Sequence, residues 1–140
     1  MRKHMKPVIQ QEKTGCAIAS AAAIAGVTYN QAKKVANRLG IFSHDTNLWS
    51  QTTHIRAILN NFGISTSAKE QPFKDWQALP NCALLSIKWR LIHGKPYWHW
   101  VVFIRKGNQA YVLDSKKSLK HNVRTDFGRI KPKWFIHVHA

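Results

Sequence analysis

Apolar positions follow helical spacing in the first half of the chain and strand spacing in the second half. The longest apolar run, residues 17–27, consists mainly of small side chains and favours a buried helix rather than an exposed one. Thr14 is the expected N-cap of this helix, with Cys16 in the first turn. The helix is expected to run to about Ala25 and to stop at Gly26.

Two amphipathic helices are predicted next, because apolar residues recur at three- and four-residue spacing before a glycine. The segment between these two helices is rich in Ser, Asn and Asp and is expected to be a loop. The predicted segments are a second helix over 31–39 capped by Thr28 or Asn30, a loop over 41–51, and a third helix from Thr52 or Thr53 to Gly63.

The apolar period then changes to that of strands. The predicted strands are 64–67, 82–89, 98–104, 110–113 and 134–138. Gly107-Asn108 lies between the third and fourth of these strands and predicts a tight antiparallel hairpin. Helices followed by an antiparallel sheet indicate an α+β fold. We expect one domain over residues 1–140, with residues 1–7 as a flexible basic N-terminus.

Composition adds an unusual charge to an otherwise ordinary globular profile. Of the 140 residues, 44% are hydrophobic and 20% are charged, which excludes a disordered chain. The 22 Lys and Arg residues exceed the 6 Asp and Glu residues, giving a net charge of +16. This charge predicts an acidic partner, whether nucleic acid, an anionic membrane or cell-wall surface, or an acidic protein, and charge alone does not choose among them.

The cysteines and the apolar run also bear on location. Two cysteines are too few for a disulfide framework, and a cytoplasmic location is expected, with export or delivery into another cell as the alternative. Residues 17–27 are too short to span a membrane. They follow a basic start as a signal peptide would, but the polar residues 10–13 intervene.

No cofactor or metal is expected. The weaker alternative is half a metal site from His137 and His139 with His93.

Four residues are candidates for chemistry. Cys16 at a helix N-terminus is favoured as thiolate by the helix dipole, although a lone cysteine beside alanines is more often part of the core. His99 lies in an apolar strand and needs partners for its ring nitrogens. Asp114 ends the paired strand, where it either orients His99 or begins a turn. Gln10 is placed six residues before Cys16, where its amide can stabilise an oxyanion together with the Cys16 backbone N–H.

The order of these residues resembles the papain-like cysteine peptidase superfamily, in particular the bacterial peptidases that trim double-glycine leader peptides and their stand-alone relatives. The first block is Gln10-Gln11-Glu12-Lys13-Thr14-Gly15-Cys16, the second is His99-Trp100-Val101-Val102 and the third is Val112-Leu113-Asp114. The resemblance covers roughly residues 8–118. It implies a papain-like fold in which the helix carrying the cysteine packs on a C-terminal antiparallel sheet.

The resemblance also implies a function, a cysteine-dependent hydrolase of bacterial or phage origin that acts on a peptide or protein substrate. Cys16 would be the nucleophile, His99 its base, Asp114 the residue that orients the base, and Gln10 an oxyanion donor. An amidase, deamidase or toxin-like acyltransferase would use the same residues. The alternative from another class is a non-catalytic basic module that binds nucleic acid or an acidic protein through its cations and four tryptophans, Trp76, Trp89, Trp98 and Trp100.

Overall fold

The computed structural model describes residues 5–140, so the predicted basic segment 1–7 lies mostly outside the described residues. Helices come first and strands second, as predicted. The helices are α1 (Cys16–Ala25), α2 (Tyr29–Arg38), a 3₁₀ helix (Thr46–Trp49) and α3 (Thr53–Asn61). The strands are β1 (Ser65–Thr66), β2 (Gln71–Pro72), β3 (Cys82–Ile92), β4 (Lys95–Lys106), β5 (Gln109–Leu113), β6 (Val123–Arg124) and β7 (Trp134–His139).

Helix α1 is the central helix, and every residue in it except Ala25 is buried. Its C-terminal prediction is confirmed, since Gly26 adopts a left-handed φ of 73° and donates its N–H to the Ala22 carbonyl. The predicted N-cap is wrong. Gly15 occupies that position, and the Thr14 hydroxyl instead donates to the carbonyl of Ser43. The Thr14 hydroxyl therefore binds the loop after α2 and does not cap the N-terminus of α1.

The segment predicted as a loop over 41–51 contains the 3₁₀ helix. The Asp45 side chain caps it by accepting the N–H of Asn47 at 2.9 Å. Leu48 is fully buried, and its carbonyl accepts the indole N–H of Trp100 at 3.1 Å. This tertiary bond, which a local pattern cannot predict, holds the segment against β4. Thr28 is confirmed as the cap of α2, where it forms a capping box.

The strands form an antiparallel sheet in the order β1-β7-β3-β4-β5-β6, with β2 also paired to β7. The predicted turn at Gly107-Asn108 is confirmed, because Lys106 pairs with Gln109 across it. Strands β3 and β4 are longer than predicted and continue to the turn at His93 and Gly94. Strands β2 and β6 were not predicted, since two residues are too few to show a period.

Apolar residues cover both faces of the sheet, which explains the continuous burial over residues 82–87 of β3 and 100–104 of β4. Leu84, Trp100 and Val102 pack toward the helices, whereas Leu85, Val101 and Phe103 pack in a second cluster with Trp76 and Phe127 from the loops. None of the helices in residues 5–140 has the length and apolarity needed to cross a membrane.

Strand β3 contains a bulge beside the middle of β4. The register of β3 shifts between Ile87, which pairs with His99, and Arg90, which pairs with Tyr97. Within the bulge, Lys88 has a φ of 54°, a left-handed conformation that is unfavourable for a residue with a Cβ. Bulges of this kind redirect side chains and are frequent beside functional sites. Here the bulge brings Lys88 to the rim of the cleft described below.

Candidate active site

Cys16 is the first residue of α1, where the unpaired backbone N–H groups and the helix dipole favour negative charge. Its side chain is fully buried in the core between the helices and the sheet. The Cys16 thiol interacts electrostatically with His99 on β4, since it is one of the groups that raise the pKa of this histidine. Cys16 is therefore both a core residue, as a lone cysteine beside alanines usually is, and a neighbour of His99.

His99 and Asp114 form a buried pair. Val102 of β4 pairs with Leu113 of β5, so Asp114, the residue after β5, lies beside the part of β4 that contains His99. Nε2 of His99 lies 2.7 Å from Oδ1 of Asp114, and the Asp114 side chain is only 1% exposed. With Nε2 held by the carboxylate, Nδ1 is the ring nitrogen that remains for Cys16. The structure thus brings the three predicted residues Cys16, His99 and Asp114 together.

Electrostatics in this pair favour the charged forms of both residues. Burial opposes protonation of His99, but hydrogen bonds to Asp114 and Cys16 outweigh it and raise the pKa of His99 to about 9. Burial acts to raise the pKa of Asp114, yet hydrogen bonds from His99, from the Lys116 backbone N–H and from Arg124 hold that pKa below its usual range. His99 is therefore an imidazolium placed between the Asp114 carboxylate and the Cys16 thiol.

Arg124 is a site residue that sequence reasoning missed. Its Nη1 donates to Oδ2 of Asp114 at 3.0 Å, and its Nη2 pairs with the exposed Asp126 at 2.8 Å. The backbone N–H of Lys116 binds Oδ1 at 3.1 Å, so both carboxylate oxygens are satisfied. In the sequence, Arg124 is only one of the 22 Lys and Arg residues that give the chain its net positive charge. It comes from the two-residue strand β6, which has no sequence signal of its own.

Gln10 lines the cleft beside His99, but its amide is already hydrogen-bonded. Nε2 donates to the carbonyls of Glu12 at 3.0 Å and Lys13 at 2.9 Å, and Oε1 accepts the Ser115 hydroxyl at 2.8 Å. The Gln10 backbone N–H also donates to the Ser115 carbonyl at 3.0 Å. Gln10 therefore shapes the segment leading into α1 and ties it to the residue that follows Asp114.

The cleft next to His99 has a volume of about 490 Å³. Trp49 and Trp98 supply aromatic walls, and the segment 10–13 supplies one side. Within the described part of the chain, the buried indole N–H of Trp98 has no hydrogen-bond partner. A buried donor without a partner costs about 1–3 kcal/mol.

Two weaker sequence interpretations can be compared with the structure. The rings of His137 and His139 are 4.3 Å apart on β7, but no three His, Cys, Asp or Glu side chains within residues 5–140 form a metal-ligating group. Trp98 and Trp100 are buried and pack edge-to-face on Trp134. These two tryptophans therefore belong to the core cluster between the helices and the sheet.

The geometry has the parts of a thiol-based acyl-transfer site. A cysteine at a helix N-terminus interacts electrostatically with a histidine, the histidine is held by a carboxylate, and an open cleft lies beside the histidine. In such an arrangement the helix end and the imidazolium stabilise a thiolate, which is the attacking form of cysteine.

Comparison with protein-family models gives no match for this sequence, and comparison with curated proteins gives none either. Solved structures do match. A double-glycine motif protease from an AMS/PCAT transporter, crystallised in complex with the leader peptide, has a TM-score of 0.60 at 18% identity, and the match covers 98% of this chain and 92% of that one.

The peptidase domain of Streptococcus ComA, a bi-functional ABC transporter involved in quorum sensing, has a TM-score of 0.62 at 16% identity. The match covers 96% of this chain and 98% of that one. The chain therefore has the α+β fold of these two peptidases, and the resemblance drawn from the sequence is confirmed at the level of the fold.

Proposed function

We propose that this protein is a cysteine peptidase in which Cys16 is the nucleophile, His99 the general acid and base, and Asp114 the residue that orients His99. The observation that carries the proposal is the convergence of these three side chains from α1, β4 and the end of β5. The 2.7 Å bond between His99 and the buried Asp114 and the electrostatic interaction of His99 with Cys16 support it. The shared fold with two peptidase domains supports it independently.

The mechanism follows from these positions. The Cys16 thiolate attacks the carbonyl carbon of the scissile bond, and the backbone N–H of Cys16 stabilises the oxyanion. The imidazolium of His99 then donates its proton to the departing amine, which leaves a thioester on Cys16. Water attacks the thioester while His99 takes one of its protons, and the acid product departs as the thiolate is restored. Gln10 can join the oxyanion site by exchanging one of its carbonyl partners for the substrate.

The test is a peptide library derived from bacterial proteins, incubated with the wild-type protein and with Cys16→Ala. Mass spectrometry should find new peptide termini with the wild type and none with Cys16→Ala. Cys82→Ala, which changes the other cysteine, should retain cleavage. Loss of ammonia from side-chain amides, or acyl transfer to a second peptide, without new termini would replace the peptidase by the amidase, deamidase or acyltransferase alternatives.

A non-catalytic basic binding module is the second candidate, and two observations favour it. Cys16 is fully buried, and both amide protons of Gln10 are used by backbone carbonyls. The same library distinguishes the candidates, because a binding module yields no Cys16-dependent product. Instead it should retain acidic ligands equally well in the wild type and in Cys16→Ala, with an affinity that falls as salt rises.

A further inference from the structure

The walls of the cleft beside His99 are strongly cationic. Lys13, Lys88, Arg90, Lys116 and Lys117 line it, and Glu12 is the only acidic residue in its lining. Glu12 is already engaged, since its carboxylate pairs with Lys33 and accepts the hydroxyl of Tyr29. The cationic side chains of this cleft therefore outnumber the anions that can neutralise them.

A second cavity of about 520 Å³ adjoins the first at the β3 bulge. Lys88 lines both cavities, and Arg129, Lys131 and Lys133 join it in the second, where none of the described lining residues is acidic. The two cavities therefore share Lys88, and cations line both of them. Because Lys88 holds a left-handed φ of 54° at the junction, the surrounding structure must maintain this placement against its conformational cost.

Lys116 lies close enough to Lys88 to disfavour the charged form of Lys88. Burial lowers the pKa of Lys88, and repulsion by Lys116 lowers it further, while Asp114 acts in the opposite direction. The carboxylate of Asp114 is already used by His99 and Arg124. An additional carboxylate between the two ammonium groups would relieve this repulsion.

We propose that the substrate carries an acidic segment beside the scissile bond, with carboxylates bound between Lys88 and Lys116 and, further along the extended peptide, at Arg129, Lys131 and Lys133. This inference rests on the proposed function for its choice of ligand. A group bound in the first cleft lies next to the reacting residues, and a thiol nucleophile requires an acyl carbon, which a peptide supplies and a nucleic acid backbone does not.

The experiment measures binding separately from cleavage. The full-length Cys16→Ala protein is titrated into a fluorescein-labelled peptide of about 12 residues, which spans roughly 40 Å when extended. One peptide alternates glutamate with apolar residues, and its partner has glutamine at each glutamate. At low ionic strength we expect the glutamate peptide to bind at least about tenfold more tightly, and we expect this preference to disappear near 0.5 M salt.

Variants locate the binding site. Lys88→Asn removes the charge with a residue that tolerates the left-handed conformation, and Lys88→Arg keeps the charge. Lys116→Gln changes an exposed residue outside the bulge. A loss of binding in this variant therefore cannot be attributed to misfolding of the bulge. Each neutral variant should weaken the glutamate peptide several-fold without affecting the glutamine peptide. Lys69→Gln, an exposed lysine outside both cavities, should leave binding unchanged.

Equal binding of the two peptides, or an equal loss in Lys69→Gln, would overturn the inference. It would also be overturned if a single-stranded oligonucleotide of matched charge bound more tightly than the glutamate peptide and responded to the same Lys88 and Lys116 variants. Failure of the proposed function has a different signature, in which the glutamate preference persists in Cys16→Ala but the wild-type protein cleaves neither peptide.

Discussion

Arg124 donates a hydrogen bond from Nη1 to Oδ2 of Asp114 over 3.0 Å. The carboxylate of Asp114 is thereby held on two sides, because His99 occupies Oδ1. Arg124 is also paired with the exposed Asp126, so it links the buried carboxylate to the surface. A cation at this position keeps Asp114 ionised and fixes the direction in which it faces His99.

Replacing Arg124 with Gln should therefore destabilise the protein. We expect a loss of about 1–3 kcal/mol in the free energy of unfolding, because a buried carboxylate loses its charged partner. Asp126→Asn is the matched control, since it removes only the exposed partner and should cost less than about 1 kcal/mol. Urea unfolding of both variants checks the difference. Equal losses would mean that the bond to Asp114 contributes nothing beyond a surface ion pair.

Stability should also fall with alkaline pH. The pKa of His99 is raised in the folded protein to about 9, so its contribution is complete below the unfolded value of about 6.5 and is lost as pH rises through 9. The difference corresponds to about 3 kcal/mol. The pKa of Asp114 is lowered, so its contribution is present above about pH 4 and is lost under more acidic conditions.

The measurement is the melting temperature of wild type and His99→Gln from about pH 5 to about pH 10, the range that brackets both His99 values. The wild type should lose stability between neutral and alkaline pH, and His99→Gln should show a much flatter profile. Parallel profiles for the two proteins would assign the alkaline loss to other groups and would contradict a charged His99 in the folded state.

Iodoacetamide labelling tests the contact between Cys16 and His99. Cys82 is 7% exposed and Cys16 is fully buried, so exposure alone predicts faster labelling of Cys82. If the His99 imidazolium stabilises a thiolate, Cys16 should be labelled faster at about pH 6, and His99→Ala should slow it at least about tenfold. Mass spectrometry reads each site separately. If His99→Ala left the alkylation rate of Cys16 unchanged, the proposed ion pair between Cys16 and His99 would be excluded from the mechanism.

Gln10→Ala separates a catalytic role of the amide from a structural one. An oxyanion donor should contribute a factor of about 100 or more in turnover. Ser115→Ala is the control, because it removes the hydrogen bond to Gln10 Oε1 and leaves the donating Nε2 intact. We expect both variants to be less stable in urea, but only Gln10→Ala to lose this turnover. Equal turnover in the two variants would restrict Gln10 to holding the segment before α1.

Much of this arrangement could be predicted because it depends on local pattern. The alanine-rich run before Gly26 specifies α1, and the Gly107-Asn108 turn brings Asp114 to His99 through strand register alone. Arg124 could not be predicted, since its strand is only two residues long and its partner lies ten positions away. The prediction of Thr14 as the N-cap of α1 was wrong for a related reason, because the distant carbonyl of Ser43 accepts the Thr14 hydroxyl.

The double link between Gln10 and Ser115 joins positions 105 residues apart. During synthesis, Cys16 leaves the ribosome well before His99, Asp114 and Arg124 have been translated. Contacts between such distant positions form late, after most of the intervening chain is available. The growing chain should therefore carry Cys16 without its partner residues, and the proposed peptidase would become active only after residues 99–124 have been translated and have folded onto α1.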